Sequence, residues 1–306
     1  MFFSRHPRNP LALVCAVAFL FSCSAPGPVS VATPKEVSTA AYQLIRPAEP
    51  EALLILFPCF GCDAQDTREE SKITDEAAAN HVAVMLMNFN RRLFLSDVEM
   101  TALVDVISTA VSQNDLAGKR VFLGGFSSGG NVALLLAKRL RQAPEKEIPL
   151  AGLFAVDSPL DLSQLYPVWK RHAEHSTVPV AQGESAMVIA LLDSTLGNPT
   201  DSAANYEVFS PVTPSAASVA PLKDLPVRLY TEPDTAWWRE NRGDRYEDLN
   251  ACYLEKLHKQ LVAAGNTRSE FITTQNKGIQ HGHRHPHAWS IVDPKDLVQW
   301  ILAEQH

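Results

Sequence analysis

From Tyr42 onward the chain alternates between short, continuously apolar runs and amphipathic segments with helical spacing. The apolar runs are Ala52–Phe57, Val82–Met87, Val121–Gly124, Ala151–Val156, Val227–Tyr230 and Glu270–Thr274. Runs this short and this uniformly apolar suit strands buried on both faces, as in a parallel sheet. Helical spacing fits Glu69–Asn80, Asp97–Ser112, Asn131–Arg141, Asp248–Ala264 and Pro294–Glu304. The last has a clear start, with Asp293 as N-cap and Pro294 at the first helical position. Strands alternating with helices predict an α/β fold with a doubly wound, mostly parallel sheet. Between Asp157 and Pro226 this rhythm fails, leaving helical stretches and a loop rich in Ser, Pro and Thr. An insertion over about residues 158–220 is expected there, as a cap over the carboxyl ends of the strands, where open sheets place their sites.

The first residues read as an export signal. Arg5, His6 and Arg8 form a positive region, followed by an apolar run from Leu11 to Phe21. That run is shorter than the ~20 residues a spanning helix needs and suits a signal peptide. Leu20-Phe21-Ser22-Cys23 resembles a bacterial lipobox, which implies a lipoprotein signal over residues 1–22 and lipidation of Cys23. The competing expectation is an ordinary cut near Ser24-Ala25. Residues 23–40 are expected to act as a flexible tether, rich in Ser, Pro and Ala up to Pro34. Ser24 after the cysteine implies the outer membrane, facing the periplasm or the cell surface, with the lipid as sole membrane contact.

Residues 41–306 are then enough for one domain with a sizeable core. A formal net charge of −7 gives no electrostatic footprint for nucleic acid. Of five cysteines, Cys59, Cys62 and Cys252 stay in the mature chain. Export permits a disulfide, and Cys59 with Cys62 is the local option; either thiol to Cys252, or three buried free thiols, remain alternatives.

Gly125-Phe126-Ser127-Ser128-Gly129 lies between the apolar run ending at Gly124 and the helical segment that follows. Strand, sharp turn and helix are the setting a G-x-S-x-G nucleophile elbow requires. The turn lifts the Ser127 hydroxyl clear of the sheet, and the helix N-terminus favours negative charge there. After the last apolar run comes Gly278-Ile279-Gln280-His281-Gly282-His283-Arg284-His285-Pro286-His287-Ala288-Trp289, with four competing histidines. Alternate residues of an extended segment lie too far apart for a compact tetrahedral metal site, so no metal is expected. Pro58-Cys59-Phe60-Gly61-Cys62 follows the first of the buried runs.

These segments together, spanning Ala52 to Trp289, resemble the α/β-hydrolase superfamily in the style of secreted bacterial esterases. The resemblance implies Ser127 as nucleophile, an acid after a late strand, and a histidine near the C-terminus as general base. His287, followed by Trp289, matches the His-x-Trp arrangement of many esterases; His285 is next. Asp234, a few residues past Tyr230, is the expected acid, with Glu232 and Asp157 as competitors. The oxyanion hole would come from the N–H groups of Ser128 and Phe60, with Cys59 as alternative to Phe60, in place of the family's His-Gly-x-Gly loop. The implied activity is a serine hydrolase cleaving a carboxylic ester through an acyl-enzyme, without cofactor, on a small-molecule or glycan ester. Gly125-x-Ser127-x-Gly129-Gly130 also resembles prolyl-oligopeptidase-like peptidases, and a non-catalytic binding lipoprotein is a third possibility. Trp237 and Trp238, just past Asp234, could line a site and stack on a sugar or aromatic group; the core of the following helix is the expected place for them.

Overall fold

The computed structural model describes residues 1–2 and 33–304. The signal over residues 1–22 and Cys23 therefore lie, almost entirely, outside the described residues.

The apolar runs become a single eight-stranded sheet. In chain order its strands are β1 (Lys35–Ser38), β2 (Tyr42–Arg46), β3 (Ala52–Phe57), β4 (Val82–Met87), β5 (Arg120–Phe126), β6 (Leu150–Val156), β7 (Val227–Thr231) and β8 (Ser269–Thr273). Their order across the sheet is β1-β2-β4-β3-β5-β6-β7-β8. From β4 to β8 all pairings are parallel, while β2 joins β4 and β1 joins β2 antiparallel. A two-residue ribbon, β9 (Ile279–Gln280) and β10 (His283–Arg284), stands apart.

The helices are α1 (Ala64–Ser71), α2 (Ile73–Ala79), α3 (Asp97–Gln113), α4 (Ser128–Gln142), α5 (Leu162–His175), α6 (Pro179–Thr195), α7 (Ala203–Phe209), α8 (Thr235–Arg242), α9 (Asn250–Ala263) and α10 (Pro294–Ala303). Side chains of a strand point alternately to the two faces, and β3 shows why its run is apolar throughout. Leu53, Ile55 and Phe57 enter the core shared with α3, α4 and α9, through residues such as Ile107, Leu134 and Leu257. Leu54 and Leu56 enter the core on the other face, with Ile73, Ala77 and Leu297 of α2 and α10. Helices cover both faces, as the doubly wound pattern predicts.

Three boundaries differ from expectation. Residues 23–40 are not all tether, because Lys35–Ser38 pair with Gln43–Arg46 as an edge strand. Its side chains are mostly exposed, so no apolar pattern marks it. The helix expected over Glu69–Asn80 is two helices, broken at Lys72, which adopts a left-handed φ of 54°. The first starts early, at a capping box in which Asp63 and Asp66 satisfy each other's backbone N–H groups. The helix expected from Asn131 begins at Ser128, directly after the serine of the elbow.

The break in rhythm after Asp157 holds α5, α6 and α7. They share a third apolar cluster, in which Leu162, Tyr166, Val188, Leu192 and Tyr206 pack with Phe60 of the turn after β3.

Candidate active site

Ser127 occupies the turn between β5 and α4 with φ 54° and ψ −126°. Such a conformation costs a non-glycine residue about 1–3 kcal/mol and persists only where its surroundings enforce it. The Ser127 N–H donates to the Val156 carbonyl at 2.8 Å. A Cβ on Gly125 would overlap the Gly129 carbonyl, and one on Gly129 would overlap the carbonyl oxygens of Phe57 and Pro58. The two glycines thus let α4 pack against β5 and against the end of β3.

Strand register brings the next partners to the serine. Phe126 pairs with Val156, and Val156 with Tyr230, so Ser127, Asp157 and Thr231 end three neighbouring parallel strands in one row. Asp157 is 5% exposed, with its own positive φ of 43°. The Thr231 hydroxyl donates to Asp157 Oδ1 at 2.6 Å, and the Asn250 amide donates to the Asp157 carbonyl at 2.8 Å. The other carboxylate oxygen accepts from His287 Nδ1 at 2.6 Å. That bond fixes the neutral tautomer with Nε2 as the acceptor nitrogen. The imidazole packs on Phe126, ring centres 4.4 Å apart. Ser127, Asp157 and His287 line one cavity of about 250 Å³.

Asp234, expected as the acid, is corrected by this geometry. Its Oδ1 accepts from the Trp237 N–H at 3.0 Å, capping α8, and its Oδ2 takes Arg284 at 2.7 Å. Both oxygens are committed before they reach the histidine. Glu232 is occupied too. Its buried Oε2 accepts from the Thr274 hydroxyl (2.8 Å) and from the N–H groups of Lys277 (2.8 Å) and Gly278 (3.0 Å), and Oε1 meets Arg284 at 2.5 Å. Glu232 thereby moors both ends of the segment that leads to His287. Glu232→Ala would strand Arg284 beside a single carboxylate and leave two backbone donors unpaired. A buried donor left unsatisfied costs about 1–3 kcal/mol, so the urea midpoint of Glu232→Ala should fall clearly while Asp157 and His287 remain in place.

The other histidines divide as their surroundings dictate. His281 reaches Glu70 at 2.8 Å on the surface, and His283 is exposed. His285 is enclosed by Trp237 and Trp238, ring centres 4.7 and 5.8 Å away, and its Nδ1–H donates to the His287 carbonyl at 3.1 Å. Burial, with help from His287 and Arg242, pushes its pKa down to about 4, so it is neutral near pH 7. Trp237 and Trp238 depart from the expected core position. Helix α8 buries no residue fully, both indoles clasp His285, and Trp238 lines the cavity.

Phe60 and Ser128 both line the cavity as well. Ser128 is the first residue of α4, so its N–H has no acceptor within the helix. Cys59 and Cys62 are joined by a disulfide across the turn after β3, with Cα atoms 5.0 Å apart. The Cys62 N–H also donates to the Cys59 carbonyl at 3.1 Å, and Cys252 is a buried free thiol. Residues of α5 and α6, among them Leu165, Trp169, Ala181 and Val188, complete the wall.

No family model matches the chain, and no curated protein matches it. Solved structures do. An esterase of Pyrococcus furiosus is 13% identical with a TM-score of 0.54, covering 88% of both chains. A fungal esterase from Rhizomucor miehei is 14% identical with a TM-score of 0.56, covering 89% of this chain and 81% of its own. Carboxyl esterase 2 from the mycorrhizal fungus Tuber melanosporum is 14% identical with a TM-score of 0.56, covering 88% and 85%. Identity this low speaks to architecture alone. With its mostly parallel eight-stranded sheet and flanking helices, the chain has the α/β-hydrolase fold.

Proposed function

We propose that this chain is a serine hydrolase that cleaves a carboxylic ester through an acyl-enzyme. The observation that carries this reading is the Asp157–His287 bond of 2.6 Å in the same cavity as a serine held at φ 54°. A serine hydroxyl attacks only when a base takes its proton, and the base acts only when a third group holds it. In this scheme His287 Nε2 removes the Ser127 proton as Oγ attacks the ester carbonyl. Asp157 stabilises the imidazolium that forms, and Thr231 and Asn250 hold Asp157 in turn. The N–H groups of Ser128 and Phe60 receive the oxyanion, with the Cys59–Cys62 bridge bracing the second donor. His287 then returns the proton to the leaving alcohol, and water releases the acyl group by the same path. The helices between β6 and β7 act as the cap.

We place the mature protein outside the cytoplasm, lipid-anchored through Cys23 at the outer membrane. A disulfide beside the site supports an oxidising compartment, since such bonds rarely persist where thiols are kept reduced.

A fluorophosphonate probe tests the hydrolase reading, because it labels only an activated nucleophile. Labelling confined to Ser127 and lost in Ser127→Ala is the expected result. No labelling, together with no turnover of short acyl esters, would leave a binding protein built on a hydrolase scaffold.

A further inference from the structure

The cavity that holds Ser127 is lined by a single lysine or arginine among the described residues, Arg242 at the end of α8. The arginines around it are committed. Arg171 pairs with Asp244 at 2.7 Å and Asp248 at 3.4 Å, and Asp244 also takes His172 at 2.8 Å. Arg284 is held by Glu232 and Asp234. Arg242 has no ion pair or side-chain hydrogen bond with any described residue, although it is half-buried. Its guanidinium lies 5.9 Å from the centre of the Trp237 ring, which orients it without neutralising it. The carboxylates whose fields reach it are Asp244, already shared by two cations, and Glu184 of α6; both line the same cavity, and neither forms an ion pair with it.

The charge also lines the same cavity as Ser127, His285 and His287. It is among the influences that keep His285 neutral, and His285 bonds to the backbone of His287. A half-buried guanidinium with no partner is costly, and its planar fork matches a carboxylate in two parallel hydrogen bonds. A wall of Trp238, His285 and Arg242 therefore offers flat apolar surface ending in one unsatisfied cation.

Resting on the hydrolase reading above, we propose that the substrate is an ester that carries a carboxylate, and that Arg242 receives that carboxylate. The carboxylate belongs either to the acyl half, as in the half-ester of a diacid, or to the alcohol half, as in an acylated hydroxy acid. Arg242 acts as a specificity residue in both cases.

Two matched pairs of esters test this. The acyl arm compares mono-4-nitrophenyl glutarate with its methyl ester; the alcohol arm compares 3-acetoxybenzoate with its methyl ester. The quantity read is the ratio of kcat/KM for the anionic ester to that for its neutral partner. In the wild-type protein the ratio should exceed one in at least one arm. Arg242→Gln should lower that ratio about 10–100-fold, the range expected when a charge-assisted pair is lost from a site built for it. Arg242→Lys, which keeps the charge and loses the fork, should fall between. A wild-type preference for the neutral ester in both arms overturns the proposal, as does an Arg242→Gln ratio equal to wild type. Turnover of neutral esters that depends on Ser127 would then survive, separating this failure from that of the hydrolase reading. If no ester turns over and the fluorophosphonate leaves Ser127 unlabelled, both fall together.

Discussion

Asp157→Asn should lower kcat about 10⁴-fold, while Asp234→Asn should stay within a few-fold of wild type. The first number follows from what the amide does to the imidazole. Asp157 Oδ2 accepts from His287 Nδ1 at 2.6 Å, so Nε2 is left free to take the serine proton. An asparagine that turns its NH₂ to the ring stabilises the opposite tautomer, with Nδ1 as acceptor and the proton on Nε2. The geometry survives and the base does not, and an aspartate-to-asparagine change of this type costs about 10⁴ in kcat. Thr231, which donates to Asp157 Oδ1 at 2.6 Å, forces the outcome, because it leaves the amide oxygen facing the hydroxyl and the NH₂ facing the histidine. Asp234→Asn keeps a side-chain oxygen to cap α8 and loses only the charge opposite Arg284, which Glu232 still neutralises. Steady-state kinetics on one neutral ester decides between them. Loss of turnover in Asp234→Asn with Asp157→Asn active would return the acid to the position expected from the sequence.

Why the sequence points to Asp234 while His287 bonds Asp157 is a matter of register. Apolar runs locate strands well, and β3 and β4 fall where their runs predict. The elbow and the His-x-Trp segment are local motifs, so Ser127 and His287 stand out as candidates from their own neighbours, and both line the cavity. The acid has no local motif. Its identity depends on which strand end lies beside His287, and that follows from the parallel pairing of Phe126 with Val156 and Val156 with Tyr230. No neighbouring residue encodes that pairing. Asp234 looks suitable in one dimension, but its carboxylate is spent on α8 and Arg284. Thr231 and Asn250 carry no signal in the sequence for the same reason, since their value lies in the aspartate they hold, Thr231 by its carboxylate and Asn250 by its backbone carbonyl. Helical spacing puts the tryptophans after Asp234 on one helix but does not choose between core and site wall, because nothing in it says that His285 fills the gap beside them.

His287→Ala should lower kcat on the order of 10⁶-fold, since removing the base disables the serine as fully as removing the serine itself. The effect on KM should be small, because the imidazole acts mainly in the transition state. The other histidines of the segment supply the controls. His281→Ala and His283→Ala change exposed side chains and should stay near wild type. His285→Ala removes a neutral ring packed between two indoles, so it should destabilise the wall of the cavity and lower kcat no more than about tenfold. Its signature lies in pH. Folding lowers the His285 pKa from 6.5 to about 4, so between these values the unfolded chain binds a proton that the native protein refuses. Stability from this residue is therefore complete above about 6.5 and is lost as pH falls toward 4. Urea unfolding of His285→Ala should accordingly lose less stability than wild type across that interval. If His285→Ala instead abolishes turnover and His287→Ala remains active, the base lies one alternate position earlier, and the bond from His287 to Asp157 is structural.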